Sequence, residues 1–360
     1  MNSISFAEYV QAIMIYDWLY LYGSLAIILI FYVYLNGKKD WQKIDLKGDL
    51  SVFIVIVLVA YFGTYPYEFG ADRHRYTLAI SGDGINAFTE DPVWMFYTII
   101  TGKLLGPVLW LILTAAIYVY AMYYYSRYKH KNMSIIMLMG FLGFLFFKAY
   151  AVNTMRAGFA SALLFYTLTW QDRKKWIYWL LMFMVVHTHF SFLLPVGALI
   201  LSQYYPKTKY FFVFWLLCIP MSFVAGTFFQ QLFEPYLADY SDKATGYLID
   251  EDERYKSGFR WDFIFYSVIP VLMGYYYIYK KQIKDTFYNN IFNTYLIANS
   301  FWILVIRANF SDRMAYLSWI FIPVLMLYPP LKYKIWKRQN KKIAYILLGQ
   351  ELFTFMLSIR

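Results

Sequence analysis

The sequence contains little cysteine, little histidine and little charge. Its 360 residues include one cysteine and four histidines, and only 15% of them are charged. The lone Cys218 excludes a disulfide framework and a thiolate metal site. The chain also lacks a Walker-type glycine-rich loop, a His-Glu-x-x-His motif and a Gly-x-Ser-x-Gly nucleophile elbow. Hydrolase and ATP-driven functions therefore lose support.

Apolar residues dominate what is present. They make up 61% of the chain, and the mean hydropathy is +0.43. Runs such as 50–61 and 104–125 are continuous, whereas the strands of a membrane β-barrel alternate outward and inward residues. We therefore predict an all-α polytopic membrane protein whose helices satisfy their own backbone hydrogen bonds.

The apolar runs predict about twelve transmembrane helices. The first run, 18–35, lacks the basic flank and the cleavage site of a secretory signal, so we interpret it as a retained helix. The predicted spans are 18–35, 50–66, 104–125, 133–147, 157–170, 175–187, 190–203, 209–225, 261–279, 288–305, 314–330 and 343–358.

The stretch 175–203 has two interpretations. It is either one long crossing or a short broken hairpin that turns at His187-Thr188-His189. The hairpin places every basic cluster on the inner side, with 21 of the 33 Lys and Arg residues inside and 12 outside. Each arm would span only about 20 Å, so the turn must be buried in protein. We favour the hairpin, which puts the N-terminus outside.

The net charge of +11 does not indicate nucleic acid binding, because the basic residues form short clusters beside apolar runs. Two outer loops, 67–103 and 226–260, are too long to be simple connections. The first contains the aromatic run Trp94 to Tyr97, which suggests a short interfacial helix. We predict a single transmembrane domain over 1–360, with these two loops forming the substrate-binding face.

Five charged motifs interrupt the apolar sequence, and the predicted topology puts all five on the outer face. An ionisable residue at a membrane helix end is a candidate for a functional site. The motifs contain six arginines, and arginine binds phosphate in bidentate fashion. A diphosphate is therefore the expected ligand, although any single arginine can instead reach lipid headgroups or pair with a neighbouring aspartate. The arginines are Arg73, Arg75, Arg156, Arg260, Arg307 and Arg313.

Other motif residues suggest further contacts. His187 and His189 are two residues apart, which makes a shared metal ion improbable, and either imidazole can take up a proton or contact a phosphate. A structural histidine pair bonded to backbone carbonyls is equally compatible with the spacing. Tyr255 and Trp261 are candidates for stacking on sugar rings or for an interfacial belt. Asp312 completes the set of candidate substrate contacts.

Several segments together resemble the EpsG family of exopolysaccharide proteins, which are related to Wzy-type polymerases of O-antigen and capsule. They are Asp72 followed by Tyr76, Asn153-x-x-Arg156-x-x-x-Ala160, the run from His187 to Leu194, and Phe310-x-x-Arg313-x-x-Tyr316. The resemblance covers most of the chain in order and spacing. The sequence departs from it at Arg73-His74-Arg75, which leaves open whether this segment binds phosphate or activates the acceptor.

The resemblance implies a GT-C-like enzyme of the bacterial inner membrane that needs no cofactor. It would join oligosaccharide repeat units carried on undecaprenyl pyrophosphate at the periplasmic face. The expected partners are the lipid-linked donor and acceptor, membrane lipid, a flippase and a chain-length regulator.

The corresponding mechanism is glycosyl transfer without a metal. A sugar hydroxyl of the acceptor attacks the anomeric carbon of the donor, and undecaprenyl pyrophosphate leaves. Arg156, Arg260 and Arg313 are the leading candidates to stabilise the leaving group. Asp72 and His189 are the candidate bases, of which we favour Asp72.

Three other functions share these features. A ligase or another lipid-linked-sugar transferase differs only in its acceptor. A flippase or transporter would need a charged path to both faces, yet the inner loops hold lysines without buried acids or histidines. A membrane O-acyltransferase uses an intramembrane histidine but draws on a cytoplasmic acyl donor, whereas the histidines here are predicted to face outward.

Overall fold

The computed structural model describes residues 6–38, 48–82, 91–238, 259–307 and 311–359. Regular structure within these ranges is helical, which confirms the all-α prediction. The helices are α1 (Phe6–Gly37), α2 (Gly48–Thr64), α3 (Ala71–Ser81), α4 (Pro92–His130), α5 (Ser134–Leu142), α6 (Phe147–Val152), α7 (Met155–Leu168), α8 (Lys175–Thr188), α9 (Leu193–Tyr204), α10 (Thr208–Ala238), α11 (Trp261–Tyr275), α12 (Thr286–Leu304), α13 (Ser311–Trp319), α14 (Ile322–Lys332) and α15 (Gln339–Ser358).

The helices form two compact units. Unit 1 comprises residues 1–189 and 330–360, and unit 2 comprises residues 190–329. The prediction of one transmembrane domain over 1–360 stays a prediction.

In unit 1, α1, α5 and α15 are joined by buried polar contacts. Ser24 donates to Oε1 of Glu351 at 2.6 Å, and Tyr20 donates to the carbonyl of Leu142 at 3.0 Å. Thr354 donates to the carbonyl of Gly143 at 2.8 Å. Since unpaired polar groups are costly in a membrane, these contacts fix which faces of the three helices meet.

In unit 2, a hydrogen-bond network centred on Asn299 of α12 joins four helices. Its amide oxygen accepts from the indole of Trp215 at 2.8 Å, and its amide nitrogen donates to the hydroxyls of Ser267 and Ser318. Trp319 donates to the same Ser267 hydroxyl at 2.7 Å. The network satisfies the buried amide of Asn299, which α12 carries into the core of this unit.

Four stretches of the described residues have the length and hydropathy to cross a membrane. They are Met14–Gly37, Pro92–Leu142, Thr208–Phe229 and Arg313–Lys332. Two shorter apolar helical stretches are Leu50–Thr64 and Phe190–Tyr204. These stretches support a polytopic membrane protein, while the count of about twelve spans stays a prediction.

The predicted break at the histidines is present. Helix α8 ends at Thr188, His189 is extended with φ −155° and ψ 111°, and a single 3₁₀ turn at Phe190–Phe192 precedes α9. The interpretation of 175–203 as one continuous helix is therefore wrong. The reversal of the chain in a hairpin stays a prediction.

The predicted outer loops are more helical than expected. Residues 71–81 form α3, and α4 already begins at Pro92, where proline is favoured at the first helical position. The aromatic run at 94–97 is thus helical, and this first part of α4 ends at Gly106, whose φ is +74°, just before Pro107. In the second loop, α10 continues to Ala238. Residues 239–258 lie outside the described residues.

Candidate functional site

Arg73 anchors α3 to the end of α2. Its guanidinium is fully buried and donates to the carbonyls of Phe62 and Gly63 at 2.8 and 2.7 Å. These carbonyls belong to the last turn of α2, where they lack helical partners. Burial lowers the pKa of Arg73 to about 10. The contacts give Arg73 a structural role, so the structure does not support the prediction that it binds substrate.

The segment after this anchor lies against the junction of α6 and α7. The amide of Asp72 donates to the carbonyl of Asn153 at 3.4 Å. Gly70 makes the approach possible, because a Cβ there would lie 2.6 Å from the carbonyl oxygen of Val152. Two of the predicted motifs, at Asp72 and at Asn153 to Arg156, are therefore adjacent in space.

Arg156 and His189 meet at a third residue, Asp91. Nη1 of Arg156 donates to Oδ2 of Asp91 at 2.9 Å. Nδ1 of His189 lies 3.9 Å from the same oxygen. Arg156 is the second residue of α7, His189 directly follows α8, and Asp91 directly precedes α4. Three helix termini therefore converge here. We call Asp91, Arg156 and His189 the Asp91 cluster.

An aromatic group packs between the helices that carry the cluster. Tyr76 of α3 and Trp94 of α4 are buried with ring centroids 5.3 Å apart, and Trp110 and Met155 complete the contact. Burial raises the pKa of Tyr76, the charge of Arg156 lowers it, and the charge of Asp72 raises it. Asp72 and Arg156 thus both lie within electrostatic reach of one phenol. The Asp91 cluster and Asp72 together form what we call the unit 1 site.

The remaining motif residues of unit 1 have separate surroundings. Nδ1 of His187 lies 2.9 Å from the carbonyl of Phe183 in its own helix, and its ring stacks on the Phe183 ring at 3.9 Å. This matches the structural interpretation of His187. Arg75 is half-buried on α3.

Within unit 2, Arg260 is paired with Asp262. Its Nε and Nη2 donate to the two carboxylate oxygens at 3.0 and 2.8 Å, and its guanidinium lies 3.7 Å from the ring centroid of Phe263. This is the pairing that the sequence left open as the alternative to phosphate binding.

Arg307 and Trp261 share a contact with Phe223. Nη2 of Arg307 donates to the Phe223 carbonyl at 3.2 Å, and the Trp261 ring lies 6.4 Å from the Phe223 ring. Trp261 is 53% exposed, and Arg313 is exposed near the start of α13. Asp312 precedes Arg313 in the same turn, and Tyr255 lies outside the described residues.

The unit 1 site combines groups with different chemical capacities. The guanidinium of Arg156 and the imidazole of His189 can contact an anion. The carboxylate of Asp72 can accept a proton from a hydroxyl within hydrogen-bond reach. Among the described residues, no three His, Cys, Asp or Glu side chains come together as a set of metal ligands. The site therefore offers one proton acceptor beside two anion contacts.

Asp91 is the residue that the sequence analysis missed. It lies within the predicted outer loop 67–103, directly after Glu90 and outside the five charged motifs. Its one sequence signal is the dipeptide Asp91-Pro92 before an aromatic run, which is typical of a helix start. That signal predicts a cap, not a contact with Arg156.

Comparison with known proteins agrees with the motif resemblance. A family model described as the EpsG family matches residues 49–360. The family is of the Wzy-like polysaccharide polymerase type, which indicates a polymerase-like role in exopolysaccharide biosynthesis and lipid-linked saccharides as substrates. No curated protein and no solved structure matches the chain. Because the family match spans far more than half of its residues, the chain belongs to the EpsG family.

Proposed function

We propose that this protein polymerises a bacterial surface polysaccharide from repeat units linked to undecaprenyl pyrophosphate. A hydroxyl of the acceptor saccharide attacks the anomeric carbon of the donor chain. A new glycosidic bond forms, the bond to the pyrophosphate oxygen breaks, and undecaprenyl pyrophosphate leaves. The observation that carries this proposal is the meeting of Arg156 and His189 at Asp91, with Asp72 beside the Asn153 to Arg156 segment, in a chain of the EpsG family.

Each group of the unit 1 site has a proposed role. Asp72 accepts the proton of the attacking hydroxyl, which raises its nucleophilicity. Arg156 and His189 contact the pyrophosphate as negative charge develops on the leaving oxygen, an electrostatic effect that is often the largest in such reactions. No ATP is needed, because the donor is already activated by its diphosphate.

Unit 2 supplies further proposed contacts. Arg313 is exposed and is proposed to bind the leaving group. Arg260, Arg307 and Trp261 are proposed to contact the donor saccharide or its diphosphate, and Arg75, His187, Tyr255 and Asp312 stay proposals as substrate contacts. Arg73 is not included, because its guanidinium donates to two carbonyls at the end of α2.

The membrane placement belongs to the same proposal. The excess of Lys and Arg in the predicted inner loops supports a location in the cytoplasmic membrane with the site on the outer side. A lipid-linked donor is delivered to that surface by its own undecaprenyl chain.

Deletion of the gene in the native strain, followed by gel analysis of the surface glycan, tests the proposal. We expect single repeat units on the lipid carrier, and a polymer ladder on complementation with the intact gene. Loss of all surface glycan would instead indicate export or ligation. Full-length chains that lack acetyl groups would indicate an acyltransferase.

A further inference from the structure

Asp91 has an unusual backbone conformation. Its φ and ψ are 55° and 78°, in the left-handed region. Residues other than glycine seldom adopt positive φ, although Asp and Asn do so more often than most, and a residue before proline is normally extended. Such conformations cost free energy and persist where surrounding contacts hold them, often at functional sites.

The side chain of Asp91 is more buried than those of its two partners. Its relative exposure is 8%, compared with 18% for Arg156 and 25% for His189. A ligand that approaches the cluster therefore meets the guanidinium and the imidazole before it meets the carboxylate. The order of exposure makes Asp91 the inner support of two more accessible groups.

Asp91 is hydrogen-bonded to Arg156 and lies close to His189. Its Oδ2 accepts from Nη1 of Arg156, which holds one edge of the planar guanidinium. A guanidinium is a planar group with five donor hydrogens, so holding one edge sets the plane of the whole group. The Nδ1 edge of His189 faces the same oxygen, so the Nε2 edge of the ring faces away from Asp91.

We infer that Asp91 is a positioning residue that holds Arg156 and His189 in one arrangement for the diphosphate of the lipid-linked donor. The inference rests on the proposed function and deepens it. The carboxylate of Asp91 is bonded to the guanidinium of Arg156, so its proposed role is distinct from that of Asp72. It acts through its partners, as a buried carboxylate orients a catalytic histidine in other enzymes.

A double-mutant cycle tests this inference. Asp91→Asn keeps the size of the side chain and the tolerance for positive φ but removes the charge. Asp91→Gly adopts the same backbone freely and gives a second carboxylate-free variant. Each is combined with Arg156→Gln, and two quantities are measured on the purified protein: extension of lipid-linked repeat units and binding of undecaprenyl pyrophosphate.

We expect Asp91→Asn to lower kcat/KM by about 100-fold, the size of effect that a misplacement of about 1 Å can have. In the Arg156→Gln background, Asp91→Asn should lower kcat/KM by a much smaller factor, because the main partner of Asp91 is already absent. The matched control is Asp17→Asn. Asp17 also pairs with a basic side chain of unit 1, Lys148, but lies outside the site, so we expect its turnover to stay within about twofold of wild type.

The outcomes separate the inference from the proposed function. Suppose that wild type extends repeat units and that the Asp91 substitutions lower kcat/KM by the same factor with and without Arg156. Asp91 then does not act through Arg156, and the inference is overturned. If wild-type protein neither extends repeat units nor binds undecaprenyl pyrophosphate, the proposed function is overturned, and the inference with it.

Discussion

At the scale of single residues, Asp72 and Asp91 carry the same carboxylate in different surroundings. Both residues are half-buried: Asp91 is bonded to Arg156, whereas Asp72 lies in the first turn of α3, near the phenol of Tyr76. A base must be accessible to the hydroxyl that it deprotonates. The bond of Asp91 to Arg156 favours Asp91 as a support, and Asp72 stays the proposed base.

A pair of substitutions distinguishes the candidate bases. Asp72→Asn keeps size and hydrogen bonding but cannot accept the proton, and loss of a general base typically costs about 10²–10⁴ in rate. His189→Gln can still donate to a phosphate. On purified lipid-linked repeat units we expect Asp72→Asn to be nearly inactive and His189→Gln to keep measurable turnover with weaker donor binding.

Near-wild-type turnover of Asp72→Asn would remove Asp72 from the mechanism and assign the base to His189. Donor binding is the internal control for this pair. A variant that has lost only its base should still bind donor, whereas a variant that has lost a phosphate contact should bind it more weakly.

The residue scale also shows how far sequence reasoning reaches. Arg73 and Arg156 both look like outer-face arginines in short polar motifs, and the sequence does not distinguish them. The direction of each side chain does: Arg73 points to the carbonyls at the end of α2, and Arg156 points to Asp91. Charge type can be predicted from a motif, but side-chain direction depends on packing between helices that are distant in sequence.

At the scale of elements, the junction of α6 and α7 places Arg156. Gly158 lies in the first turn of α7, and a Cβ there would be 2.1 Å from the carbonyl oxygen of Tyr150 in α6. The glycine thus allows α6 to fold back against α7 at Asn153 and Thr154. The position of Arg156, two residues earlier, depends on this close approach.

We therefore expect Gly158→Ala to lower both stability and activity. Overpacking of a tight contact typically costs about 1–3 kcal/mol of folding stability. The added methyl group would also displace α6 from α7, and that displacement reaches Arg156. The measurements are the melting temperature in detergent and the rate of chain extension. Gly197→Ala in α9 is the control, because nothing lies within 4 Å of a Cβ at Gly197 and alanine favours a helix by about 1 kcal/mol. Equal melting temperatures and equal rates of chain extension in the two variants would show that the junction of α6 and α7 tolerates displacement.

Element boundaries were predictable to different degrees. The break at His189 follows from charge asymmetry between loops, which the sequence displays directly. A helix at the aromatic run 94–97 was predicted, whereas the helix at 71–81 was not, because its polar residues are typical of a loop when their partners are unknown. In the structure Arg73 and the aromatic group at Tyr76 and Trp94 supply those partners.

At the scale of the whole molecule, an apolar helical chain belongs to a family whose substrates are lipid-linked saccharides. The helical class and the polymerase-type family follow from composition and from motifs spread along most of the chain. Four long apolar stretches among the described residues agree with this class. In the proposed function the carrier lipid of the donor lies in the same membrane as these apolar stretches.

The most direct test of the central claim is chain extension by the purified protein. Wild-type protein and lipid-linked repeat units alone should give a ladder of polymer lengths on a gel. Arg156→Lys keeps the charge but loses the planar fork, so we expect the ladder to fall by about 10²-fold or more, as on removal of an oxyanion contact. Arg173→Lys is the control, because Arg173 stacks on Trp170 outside the site and lysine keeps that charge. A ladder from Arg156→Lys equal to that of wild type would contradict the role of Arg156, and no ladder from wild type would contradict the proposed polymerase.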